Sequence, residues 1–174
     1  MTTTGIMACF RTLADRCGLR EEELDLMISG GPDGDLGANQ IQSYKGRICL
    51  VIDSGAVLFD PDGLDRQALM RLAVSRHTRP RLNAAHFPVA SLGPRGFLVR
   101  RTDRNVTLPD GTLVEDGAFF HSHVLSAPES QGFLRQARVR AFVPCGGLKD
   151  TINFANVRAF LRNFPDLRLI VEGA

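Results

Sequence analysis

The chain has 174 residues, 44% of them hydrophobic and 23% charged, with a formal net charge of +2. At this length one core can bury roughly 70% of the unfolded surface, so neither a disulfide framework nor a structural metal is needed. The near-balanced charge argues against a dedicated nucleic-acid surface, the four scattered cysteines lack zinc-type spacing, and no apolar run approaches a membrane span.

The N-terminus shows no charged segment followed by an apolar core, so no secretory signal is visible. Cytoplasm or mitochondrial matrix is the expected compartment. Cys9, Cys17 and Cys49 read as small buried hydrophobes in a reducing environment. Cys145 needs separate treatment.

From the N-terminus, Ile6, Phe10, Leu13, Ala14 and Cys17 recur at helical spacing, and Gly18 fits the stop of that helix. Leu24 to Ile28 is a short apolar run ending in glycines, as a buried strand would. Leu36 to Tyr44 suits one or two helical turns. Arg47 to Ile52 is the clearest strand, nearly continuous in apolarity, as parallel strands covered on both faces are. Asp60 to Asp65 (D-P-D-G-L-D) has the outline of a calcium loop. Its glycine is misplaced and no distal glutamate follows, so it reads as the start of a helix running to Arg76.

Thr78 to Gly96 carries little periodicity and is expected to be loop. Phe97 to Val99, Val106 to Leu108 and Thr112 to Val114 are short strands, with a hairpin turn at Pro109 to Gly111. Val139 to Val143 is another strand, Asp150 to Phe164 a helix and Leu167 to Val171 a last strand. This alternation calls for an α/β fold: a doubly wound, Rossmann-like, mostly parallel sheet with helices on both faces and a β-hairpin insertion.

The segment S-G-G-P-D-G-D-L-G-A-N, Ser29 to Asn39, lies between the first strand and the helix after it. A helix N-terminus offers unpaired N–H groups, and glycines allow a pyrophosphate to approach them. Gly34-x-x-Gly37 has the spacing of the last two glycines in the fingerprint G-x-G-x-x-G, although Pro32 stands where the first belongs. Asp53 ends the next strand, where a carboxylate accepts hydrogen bonds from the adenosine ribose and disfavours a 2′-phosphate. A tight strand-to-helix turn with Asp53 capping a loop is the plain alternative.

G-G-P-D-G-D-L-G-A-N (Gly30 to Asn39), D-S-G-A-V-L-F-D-P-D-G-L-D (Asp53 to Asp65) and V-T-L-P-D-G-T-L-V-E-D-G (Val106 to Gly117) are followed by P-C-G-G-L-K-D-T-I-N-F-A-N-V (Pro144 to Val157) and V-E-G-A (Val171 to Ala174). In this order they resemble the large NAD-specific glutamate dehydrogenases of fungi and protists, in the glutamate, leucine, phenylalanine and valine dehydrogenase superfamily. The likeness runs from Thr3 to the last residue. Departures fall at Ser54-Gly55-Ala56, where the family has G-S-G, and at Leu148, where it has arginine.

The resemblance implies a single NAD-binding domain over residues 1–174 of an enzyme that oxidatively deaminates glutamate. Gly31, Gly34, Asp35, Leu36 and Gly37 would line the pyrophosphate, and Asp53 with Ser54 the adenosine ribose. Cys145 and Gly146 would lie beside the nicotinamide ribose, Asn153 or Asn156 near the carboxamide, and Thr4 at the hinge side of the cofactor. The implied partners are NAD, the enzyme's separate substrate domain and further copies of the enzyme, with no nucleic acid and no membrane. In the family the catalytic lysine and aspartate belong to that substrate domain. Here lysine occurs only at Lys45 and Lys149. The chain is therefore expected to bind NAD without turning over glutamate.

Other readings compete at particular residues. His121 and His123 would share one face of a strand, an arrangement that suits two metal ligands, but no third ligand is evident. Cys145 as a nucleophile lacks an identifiable base. Arg100-Arg101-x-x-Arg104 and Arg135-x-x-Arg138-x-Arg140 raise a nucleic-acid-binding module, opposed by the acidic balance and the single tyrosine. A degenerate fragment that binds nothing is the third reading.

Overall fold

The computed structural model describes residues 3–75, 77, 82–146 and 151–172. Segments with unbroken apolar runs form the centre of a six-stranded sheet: β1 (Asp25–Ser29), β2 (Ile48–Ile52) and β7 (Val139–Pro144). Their neighbours are β3 (Ala56–Phe59) and β4 (Phe97–Arg100) on one side and β8 (Leu169–Ile170) on the other, giving the order β4-β3-β2-β1-β7-β8. The pairs β1–β2, β1–β7 and β7–β8 are parallel, whereas β3 runs antiparallel to both β2 and β4. A separate two-stranded sheet holds β5 (Arg104–Thr107) and β6 (Leu113–Asp116).

Alternation along each strand divides the core. Leu26, Ile28 and Val51 face α1 (Thr3–Arg16), α2 (Asp35–Ser43) and α3 (Arg66–Ser75), which contribute Ile6, Phe10, Ile41, Leu69 and Leu72. Met27, Leu50, Ile52 and Phe142 face the other way. They meet α4 (Gly117–His123), α5 (Gln131–Leu134) and α6 (Val157–Asn163) through Phe120, Phe133 and Phe160. Phe59, Phe97, Phe120 and Phe133 form a ring cluster with centroid separations of 5.0–6.1 Å. Each such buried side chain stabilises the fold by about 1.5–3 kcal/mol. Both faces of the sheet are therefore covered, which is why its central strands tolerate no polar position in their middle.

The predicted α/β plan holds, with local differences. Ala56–Phe59 is a strand that the expected alternation lacks, reached through a tight turn at Ser54 and Gly55 in which Asp53 N–H donates to the Ala56 carbonyl at 3.1 Å. Phe97–Arg100 joins the main sheet and is not part of the hairpin insertion. The Pro109–Gly111 turn does close β5 on β6, with Gly111 at φ +89 and Leu108 N–H donating to Thr112 O at 2.8 Å. The last helix begins only at Val157, because Asn153 and Asn156 fold residues 151–156 into turns.

Asp65 caps α3 by accepting from Ala68 N–H at 2.6 Å, as a helix start requires. Arg76 lies outside the described residues. On α1 the buried face is Ile6, Met7, Phe10 and Ala14, while Leu13 is 41% exposed. Cys9 and Cys17 are exposed, contrary to expectation, and Cys49 is buried. Among the described residues no helix is long and apolar enough to cross a membrane.

Candidate functional site

From β1 the neighbouring strands diverge, β2 to one side and β7 to the other. In an open parallel sheet the crevice at the carboxyl ends of such a pair is where ligands bind. Residues 30–35 after β1, 53–55 after β2 and 145–146 after β7 converge there. Backbone bonds stitch them together: Gly30 N–H donates to Ile52 O and Cys145 N–H to Ser29 O, each at 2.7 Å.

The glycines divide by what demands them. Gly30 has φ +108, and a methyl group on it would lie 2.9 Å from the Cys145 carbonyl oxygen. A methyl on Gly31 would sit 2.1 Å from Asp53 Oδ2, and one on Gly37 only 2.4 Å from Gly31 O. The fold itself excludes side chains at these three. Gly34 differs: its backbone is extended (φ −93, ψ 149) and the nearest atom to a methyl there is Gly31 O at 3.6 Å. Nothing among the described residues requires glycine at Gly34, which caps α2 and leaves the approach to its first turn clear. Asp35 is exposed in that turn, where a carboxylate favours the helix dipole, and Leu36 is half-buried.

Asp53 is fully enclosed. Its Oδ1 accepts from Gly55 N–H at 2.8 Å and Ala56 N–H at 3.1 Å, and its Oδ2 from Ala84 N–H at 2.6 Å. Burial raises its pKa above the ordinary carboxylate value, against the opposing pull of these three donors. From α4, His121 Nε2 lies 2.5 Å from the Asp53 carbonyl. A carbonyl only accepts, so Nε2 carries the proton, and burial holds the imidazole below its usual pKa. Facing outward at the same corner, Ser54 Oγ donates to Asp33 Oδ2 at 3.2 Å.

On the β7 side the Cys145 thiol is buried, donates to Gln40 Oε1 at 3.1 Å, and is pushed up to about 12 by burial. It is a protonated packing group, which removes the nucleophile reading at neutral pH. Gly146 follows at φ +101. The Asn153 side chain accepts from Ala155 and Asn156 N–H, and the Asn156 amide bridges Asn153 N–H and Thr151 O, so both serve their own turn. Thr4 lines a different cavity of about 480 Å³ between α1 and α2, with Thr3, Asn39 and Gln42. The structure thus gathers Gly31, Gly34, Asp35, Gly37, Asp53, Ser54, Cys145 and Gly146 at one crevice and sets Thr4 apart.

Two groups missed from the sequence belong to this region. Ser29 Oγ and Gln40 Nε2 are buried without a hydrogen-bond partner among the described residues. A polar residue at the end of the expected strand and another in the middle of the following helix were the available signal, and both are buried.

His121 and His123 lie on a helix, so two residues apart they point to opposite sides: His121 is buried and His123 stacks on exposed Phe119 at 4.2 Å. Among the described residues no cluster of three or more His, Cys, Asp or Glu is placed to hold a metal. Several cluster arginines are engaged within the chain: Arg100 with Ala85 O, Arg101 with Ser54 O, Arg104 with Asp116, and Arg135 with Arg162 O. Lys45 lies 3.9 Å from Glu22, and Leu148, Lys149 and Asp150 fall outside the described residues.

The sequence pattern of the Glutamate/Leucine/Phenylalanine/Valine dehydrogenase family matches residues 1–174. A probable NAD-specific glutamate dehydrogenase of Schizosaccharomyces pombe is 39% identical over 87% of this chain and 13% of its own length. Glutamate dehydrogenase 2 of Dictyostelium discoideum is 35% identical over 100% of this chain and 16% of its own. The chain thus spans about a sixth or less of these relatives. A crystal structure of Plasmodium falciparum glutamate dehydrogenase superposes with a TM-score of 0.61 at 11% identity, over 99% of this chain and 29% of that one, so the fold is shared even where the sequence is not. With its whole length matched and its crevice at the switch between β1 and β7, this chain belongs to the Glutamate/Leucine/Phenylalanine/Valine dehydrogenase family.

Proposed function

We propose that the chain binds NAD across this crevice as the nucleotide-binding part of a glutamate dehydrogenase. The whole enzyme would convert L-glutamate to 2-oxoglutarate and ammonia, and it assembles from several copies. Bound NAD would supply the hydride acceptor. The observation that carries the reading is Gly34, a glycine that nothing among the described residues requires, at the start of α2 and beside three glycines whose surroundings admit no side chain.

In this reading the first turn of α2 receives the pyrophosphate through backbone N–H groups, with Gly31, Asp35, Leu36 and Gly37 around it. The corner at Asp53 and Ser54 takes the adenosine ribose. Cys145 and Gly146 border the nicotinamide side, and Ser29 and Gln40 offer polar groups at the floor. The assignment of Asn153, Asn156 and Thr4 to the nicotinamide end rests on the resemblance, since Thr4 lines a separate cavity between α1 and α2. The name of the Schizosaccharomyces pombe relative, an NAD-specific glutamate dehydrogenase, supports NAD as the cofactor.

Deamination needs a base and a cation at the reacting carbon. Lys45 is tied to the opposite end of the sheet, near Glu22 and Arg47. Titration calorimetry of the chain should therefore show saturable NAD binding, no oligonucleotide binding and no glutamate turnover. Salt-sensitive oligonucleotide binding without NAD binding would replace this reading with the nucleic-acid one.

A further inference from the structure

We infer that the carboxylate that receives the adenosine ribose is Asp33, paired with Ser54, and that Asp53 is an internal clamp holding this corner together. The inference rests on the NAD reading above and changes which residue sets the cofactor preference.

A ribose diol needs acceptors that face the crevice. Asp53 presents none. It is fully enclosed, its oxygens receive three backbone N–H groups, and Oδ2 lies directly against the Cα of Gly31. Withdrawing this carboxylate to reach a sugar would orphan those N–H groups and undo the β2–β3 turn. Its contacts instead bind four segments together: the end of β2, that turn, the 3-10 turn at Ala84–His86 and the glycine loop.

Asp33 is placed differently. It stands one residue before Gly34, half-exposed, on the lip of the phosphate cradle. Only Oδ2 has a partner among the described residues, the Ser54 hydroxyl at 3.2 Å. That hydrogen bond spans from the loop after β1 to the turn after β2, the two segments between which an adenosine ribose would lie. Ser54 spends its proton on Asp33, so its oxygen keeps lone pairs, and Asp33 Oδ1 is open. Two acceptors from opposite sides of the corner match the two donors of a vicinal diol.

The same pair disfavours a 2′-phosphate, which would meet the Asp33 carboxylate with the Asp53 charge behind it. Among the described residues, a cation at this corner is Arg101, whose guanidinium donates to Ser54 O at 3.3 Å and is exposed. Neutralising Asp33 leaves Arg101 able to receive that phosphate.

The test is calorimetry of wild type and Asp33→Asn with NAD, NADP and nicotinamide mononucleotide, alongside thermal melting. Loss of a charged acceptor should weaken NAD by at least about tenfold. The NAD-over-NADP preference should narrow by a similar factor, while mononucleotide affinity and melting stay as in wild type. Asp53→Asn should instead lower the melting temperature. If wild type binds no NAD, the cofactor reading and this inference fall together. If wild type binds NAD and Asp33→Asn keeps both its affinity and its preference, the inference alone is overturned.

Discussion

The two walls of the crevice are built to different standards. On the β1–β2 wall the groups behind the glycine loop are locked by the fold: Asp53 by three N–H donors, its carbonyl by His121, and Gly30, Gly31 and Gly37 by surroundings that admit no methyl. On the β7 wall Cys145 is packed, but Gly146 is exposed and Asn153 and Asn156 hydrogen-bond within the short turns before a seven-residue helix. One wall is preorganised for a rigid group, and the other leaves its polar side chains on local turns. Preorganisation at the phosphate and adenosine end reduces the ordering that binding must impose.

The sharpest way to break this contrast is to compare Gly37→Ala with Asn153→Ala. The first drives a methyl into the backbone of Gly30 and Gly31, neither of which can yield, and should cost at least about 2 kcal/mol in denaturant unfolding. The second removes an exposed turn acceptor and should cost under about 1 kcal/mol. Equal losses would mean that the walls are equally rigid.

A smaller effect is expected with pH. Burial, reinforced by Arg101, holds His121 below its usual pKa despite its contacts with Asp53. Between that lowered value and the ordinary histidine range the unfolded chain binds more protons than the folded one. Stability present above about pH 6.5 is therefore lost as pH falls. Asp53 acts in the opposite sense at lower pH, because its raised pKa lets the folded form take up a proton first. Urea midpoints between pH 7.5 and 5.5 should decline for wild type and flatten for His121→Gln, which keeps a donor toward the Asp53 carbonyl. An unchanged slope would show that other groups control it.

How much of this was legible in the sequence depended on how local the cause was. Arg47–Ile52 and Val139–Val143 announced themselves because strands covered on both faces are apolar at every position. Ala56–Phe59 did not: four residues carry no measurable alternation, the turn joining them to β2 is tight, and their second partner strand Phe97–Arg100 is far along the chain. Gly117–His123 was missed although the signal was present, since Asp116 caps it by accepting from Ala118 and Phe119 N–H. At the site, spacing located Gly34, Gly37 and Asp53 correctly as neighbours of one loop. It carried no information on which way Asp53 turns, because that is decided by Gly31, Ala84 and Gly55, which reach it from three other segments.

The central claim is that the glycine loop is shaped for a ligand and not only for itself, and Gly34→Ala tests it most directly. With extended backbone and no neighbour closer than 3.6 Å among the described residues, this variant should fold as wild type, within about 1 kcal/mol for the altered helix cap. Its NAD affinity, measured by titration calorimetry on the folded protein, should drop at least about tenfold because the methyl occupies the approach to α2. A folded Gly34→Ala chain that binds NAD as tightly as wild type would contradict the account.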